Sequence, residues 1–141
     1  MILRDKKIVL GVTGAISAYK AIEIARLLVK EGASVRPVMT KAAVEFITPL
    51  TLGTLAKGTV SSDMFSAEDP SRVGHIEITQ ESDLIIVAPA TANLIGKVSS
   101  GVSDDLLTTI IAAAAAPVLI APSMNTRMWE NPILQGNVKR L

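Results

Sequence analysis

Apolar positions along this chain switch repeatedly between two spacings. Ile8, Val9, Leu10 and Val12 form a short, β-branched-rich run, the pattern of a strand buried on both faces. Gly11, Thr13 and Gly14 break the run. Over residues 16–30 the spacing becomes helical, which predicts that Ile16, Tyr19, Ile22, Ile24, Leu27 and Leu28 share one face. Gly32 then suits a left-handed helix stop. SVRPVMT at 34–40 reads as a second strand, and its Pro37 predicts an edge position or a kink. A short helix over 41–46 follows, with Thr40 as its N-cap, a ligand hydroxyl, or both at once. Residues 48–57 read as another helix, with Pro49 tolerated in its first turn. The polar stretch 58–72 reads as a long loop, of the kind that carries function or meets another subunit. DLIIVAP at 83–89 and PVLIA at 117–121 are further strands. Residues 94–115 read as two helical pieces joined near 99–101, and a last helix begins near 134.

Strands alternating with helices predict a doubly wound parallel sheet in a three-layer αβα domain of flavodoxin/Rossmann-like type, spanning 1–141. Three strands end in unusual polar turns, GVTGAIS, APATAN and APSMN. Carboxyl ends of parallel strands lie along one edge of a sheet, so these turns are expected to converge on one site.

Composition narrows the picture. Of the 141 residues, 49% are hydrophobic but only 3% aromatic, so the core is built from Ile, Val, Leu and Ala. A mean hydropathy of +0.44 also suits a subunit that buries surface against copies of itself. The net charge is +1 and no basic block occurs, which gives nucleic-acid binding little support. The absence of cysteine excludes disulfides, thiolate metal sites and a cysteine nucleophile within these residues. A single histidine with no acidic cluster argues against a transition-metal site. No secretory leader is evident, and the apolar stretch 110–121 is short and interrupted by Pro117. A cytoplasmic protein is expected.

The strand–turn–helix at 7–20 either reverses the chain or holds a phosphate on its backbone N–H groups, with Thr13 and Ser17 as hydroxyl donors. Thr40, Thr91, Asn93 and Asn125 extend the set of short polar groups, which suits a flat phosphorylated ligand. The glycines run G-x-x-G, and Met39-Thr40 stands where a ribose-binding acid would end the second strand. A mononucleotide therefore fits better than a dinucleotide. His75 is a candidate base or a structural histidine. Asn125 is a candidate carboxylate binder or a turn former, and burial is expected for Trp129.

Four segments together resemble the homo-oligomeric flavin-containing cysteine decarboxylase family. They are GVTGAISAYK at 11–20, GHIE at 74–77, APATAN at 88–93 and PSMNTRMW at 122–129. The last is similar to the family's P-x-M-N-x-x-M-W motif at every fixed position. The stretch 89–94 resembles its P-A-S-A-N-T motif, with Thr91 for Ser and Leu94 for the final Thr. The resemblance implies an FMN cofactor whose phosphate sits on Gly14, Ala15, Ile16 and Ser17 beside Thr40, with Thr91, Ala92, Asn93 and Leu94 lining the flavin. It implies His75 as the active-site base, Asn125 as the residue holding the substrate carboxylate, and Met124 and Met128 shaping that pocket. The implied reaction oxidises a cysteine thiol to a thioaldehyde, after which CO₂ leaves. The implied substrate is phosphopantothenoylcysteine, converted to 4′-phosphopantetheine in coenzyme A biosynthesis by a homotrimer or dodecamer.

In the family's members that act on phosphopantothenoylcysteine, the resemblance implies a final reduction served by a cysteine on a C-terminal flap, and these residues contain none. The chain is therefore expected to be a fragment of a bifunctional protein, lacking the flap and a synthetase domain. Taken alone, it is expected to decarboxylate and release little reduced product. Alternatives within the resemblance are a peptidyl-cysteine decarboxylase, a flavin prenyltransferase and a non-catalytic FMN-binding regulatory subunit. His75 and the P-x-M-N-x-x-M-W match argue against the prenyltransferase.

Overall fold

A computed structural model describes residues 1–62 and 74–141, with only the backbone of Gly74 and His75. Among the described residues, four parallel strands pair in the order β2-β1-β3-β4. They are β1 (Lys7–Val12), β2 (Ser34–Met39), β3 (Leu84–Ala90) and β4 (Val118–Pro122). A 3-10 turn (Ile16–Ala18) leads into α1 (Tyr19–Lys30). After β2 come α2 (Lys41–Val44), α3 (Pro49–Ala56) and α4 (Gly74–Glu81). Between β3 and β4 lie α5 (Ala92–Ser99) and α6 (Leu106–Ala112), and after β4 come α7 (Thr126–Trp129) and α8 (Pro132–Arg140).

Side-chain alternation along β1 sorts the core into two layers. Ile8, Leu10 and Val12 pack with Ala18, Ala21, Ala25, Leu52 and Ala56 on the α1–α3 face. Val9 packs with Ile85, Val87, Ile95, Leu107 and Ile110 on the α5–α6 face. The expected three-layer αβα sheet is thus the observed one. Pro37 does mark an edge: among the described residues β2 is the outer strand, and two backbone bonds with Ser61 run along its free side. At the amino ends of the two inner strands, Asp83 ties the start of β3 to β1, accepting from the Lys7 N–H at 2.8 Å. That bond holds its carboxyl below the ordinary value.

Two expectations need correction. The face of α1 against the sheet is made of Ala18, Ala21 and Ala25, while Ile16 is 85% and Tyr19 60% exposed. Alanines let the helix axis approach the sheet closely; Ile22, Ile24 and Leu28 then flank the contact, only partly buried. Trp129, expected inside, is 40% exposed, because the four-residue α7 has no buried face. Of the expected loop at 58–72, residues 63–72 lie outside the described residues, as does residue 73.

Candidate functional site

The order β2-β1-β3-β4 reverses direction at β1, and the crevice between the carboxyl ends of β1 and β3 is where open α/β sheets bind ligands. Thr13 closes the floor of that crevice. Its side chain is 2% exposed, donating to the Pro89 carbonyl at 2.6 Å and accepting from the Thr91 N–H at 3.1 Å. The Thr13 hydroxyl, expected to face a ligand, is instead committed to joining β1 to β3. Ser17 is linked similarly, its Oγ lying 2.6 Å from that of Ser123 after β4. The Ser123 N–H in turn donates to the Ala90 carbonyl at 3.0 Å. The three polar turns therefore converge as expected.

Gly14 follows Thr13 and meets α2 so closely that a Cβ there would lie 2.5 Å from the Cβ of Ala42. That contact brings the β1 turn against Thr40 and Lys41. Around them opens a cavity of about 670 Å³, lined by Gly14, Thr40 and Lys41 on one wall and by Thr91, Ala92, Asn93, Leu94 and Lys97 on the other. Asp104, Asp105 and Leu107 from the α6 region and Met128 from α7 complete it. The volume is in the range of small-molecule and cofactor sites.

The lining threonines have two uses. Thr40 caps α2, its Oγ1 accepting from the Ala43 N–H at 3.2 Å, and Thr91 caps α5, accepting from the Leu94 N–H at 3.2 Å. A hydroxyl that accepts at a cap keeps its proton to donate. Asn125 caps α7 in the same way, its Oδ1 accepting from the Met128 N–H at 2.9 Å. With the oxygen fixed, the side-chain NH₂ is left to face outward as a donor.

Other expected residues lie around this centre. Ala15, Ile16 and Ser17 are not among the lining residues, and Met124 sits in a neighbouring depression with Ser123, Thr126 and Trp129. Thus α7 carries Met128 in the main cavity and Thr126 and Trp129 in the second. His75 is described by its backbone only, in the first turn of α4. The last residue of α4, Glu81, pairs with Lys7 at the start of β1, at 3.1 Å. The helix therefore runs antiparallel to β1, and its first turn lies toward the carboxyl edge.

Sequence reasoning missed Lys41 and Lys97 as lining residues. The signal for Lys97 was available: it follows Asn93 by four residues on α5 and so shares its face. Its Nζ lies 3.0 Å from each carboxylate oxygen of Asp104, tying α5 to the approach of α6. Asp105 forms a capping box with Thr108 at the start of α6.

The Flavoprotein family model matches residues 2–141. The coenzyme A biosynthesis bifunctional protein CoaBC of Vibrio cholerae is 48% identical over 139 residues, covering 99% of this chain. This chain spans 35% of that relative's length. A crystal structure of the FMN-dependent cysteine decarboxylase SpaF superposes with a TM-score of 0.91 at 29% identity, over 99% of this chain and 80% of that one. A cysteine-to-serine mutant of PPC decarboxylase, complexed with pantothenoylaminoethenethiol, superposes with a TM-score of 0.82 at 32% identity, over 98% and 78% of the two chains.

Proposed function

This chain belongs to the Flavoprotein family, and on that footing we propose that it binds FMN and decarboxylates 4′-phosphopantothenoylcysteine in coenzyme A biosynthesis. One observation carries the reading: the cavity at the β1/β3 crevice runs from Gly14 and Thr40 through Thr91 and Asn93 to Met128. A cofactor site and the start of a substrate site are thus continuous. The 48% identity to CoaBC, against 30% to the peptidyl-cysteine decarboxylase EpiD, favours phosphopantothenoylcysteine over a peptide ending in cysteine.

The donor set fits FMN, with hydroxyls and amides for its polar rim and Leu94, Leu107 and Met128 for apolar contact. Gly14, Thr40, Thr91 and Asn93 would hold it from the cavity walls, with the 15–17 turn at the rim. When bound, FMN supplies the two-electron acceptor that oxidation of the cysteine thiol requires. The residues of this chain do the rest. His75 takes the proton from the substrate thiol. The Asn125 NH₂ donates to the substrate carboxylate and holds it in place until it leaves as CO₂. Met128 shapes the apolar wall of the main cavity beside it, and Met124 lines the neighbouring depression. These assignments make the 141 residues a single FMN-binding domain of a cytoplasmic enzyme. The exposure of Ile16, Tyr19 and Trp129 supports assembly into a homo-oligomer, a trimer or a dodecamer built from trimers.

Asn125→Asp tests the substrate half of this reading. The aspartate keeps an oxygen for the Met128 N–H, so the cap survives, but it sets a negative charge against the substrate carboxylate. KM for phosphopantothenoylcysteine is expected to rise about tenfold or more, with FMN affinity and melting temperature retained. An unchanged KM would remove Asn125 from the substrate site.

A further inference from the structure

The two walls of the cavity carry charge differently. On the α5–α6 wall the Lys97 ammonium is neutralised by Asp104 at 3.0 Å, and Asp105 adds a second carboxylate bound to the Thr108 N–H at 2.8 Å. One ammonium against two carboxylates leaves that wall negative. The α2 wall follows β2, on the other side of β1 in the sheet order. Among the described residues its charged lining residue is Lys41, whose ammonium makes no ion pair or hydrogen bond with any of them. Its neighbours in the lining are the uncharged Gly14, Thr40, Ala42 and Ser62. The backbone of Lys41 is also held in place, because Gly14 abuts Ala42 and the Thr40 N–H donates to the Val12 carbonyl at 3.1 Å.

Resting on the FMN reading above, we infer that Lys41 is a positioning residue that holds the cofactor's phosphate and sets which way round the cofactor enters. A phosphate monoester carries close to two negative charges at neutral pH. The α5–α6 wall repels such a group, and Lys41 attracts it as a point charge, with the Thr40 hydroxyl beside it as a donor. The electroneutral ring system is left to the Thr91–Leu94 side. The cavity's own charge thereby distinguishes a phosphorylated flavin from its unphosphorylated form.

The experiment compares FMN with riboflavin, binding each to the full chain and following flavin fluorescence. Lys41→Gln is expected to weaken FMN about tenfold while riboflavin affinity stays as it was. Lys41→Arg is expected to retain most of the FMN affinity. Lys30→Gln, in the last turn of α1 at the opposite edge of the sheet, removes the same charge and is expected to change neither. The preference of the unmutated chain for FMN is expected to shrink as salt is raised. Equal weakening of both flavins by Lys41→Gln, or of neither, overturns the role of Lys41 while leaving the FMN reading in place. A chain that binds neither flavin overturns both.

Discussion

Replacing His75 with Asn is expected to slow CO₂ release by at least about 10²-fold while the protein stays yellow with bound flavin. Asparagine can still donate and accept hydrogen bonds, but it cannot take up a proton near neutral pH. His75 is the sole imidazole in the sequence, so no second histidine can take over. Its backbone lies in the first turn of α4, the end of that helix directed to the carboxyl edge. Asparagine is planar, polar and smaller than histidine, so the change is expected to leave flavin affinity in place, and that separates loss of the base from loss of the cofactor. The two readouts are the visible spectrum and CO₂ release from the same preparation. Turnover that persists in the variant would move the base elsewhere; persistence of neither flavin nor turnover would make His75 a structural residue.

Gly14→Ala is expected to have the largest effect on cofactor binding. A methyl group at that position meets the Ala42 Cβ at 2.5 Å and its carbonyl carbon at 2.9 Å, and backbone cannot yield as a side-chain tip can. The turn after β1 and helix α2 must separate, carrying Thr40 and Lys41 away from the cavity. Overpacking of this kind costs about 1–3 kcal/mol. The melting temperature is expected to fall, and FMN affinity is expected to drop by at least about tenfold. Adding Ala42→Gly removes the closer of the two contacts and is expected to restore part of both losses. Full FMN affinity in the single variant would show that the contact between the β1 turn and α2 does not shape the site.

Much of this architecture is legible in the sequence because short β-branched apolar runs leave a clear trace, whether the strand is buried, as β1 and β3 are, or largely exposed, as β4 is. KIVLGV, LIIVAPA and VLIAP each end in a polar turn, and parallel pairing alone brings those turns to one edge. The caps are legible too: Thr40, Thr91 and Asn125 each precede a helix, and each accepts from the N–H three residues on. What the sequence hides is set by distance and by size. The Thr13 hydroxyl takes both its partners from residues 76 and 78 positions away, and no local pattern announces them. Ser17 and Ser123 are 106 positions apart. Helical spacing marks Ile16 and Tyr19 as core-facing, but the sheet admits the alanine face of α1 instead, since close approach favours small side chains over large ones. Lys41 carries no sequence signature beyond following Thr40; its importance emerges only when the charges on the facing walls are compared.

The FMN-loaded protein supplied with phosphopantothenoylcysteine labelled in the cysteine carboxyl provides the most direct measurement, read as labelled CO₂. Flavin-dependent release, faster than from a peptide ending in cysteine, is the expected result. A yellow protein that releases no label, or one that prefers the peptide, would contradict the proposed function.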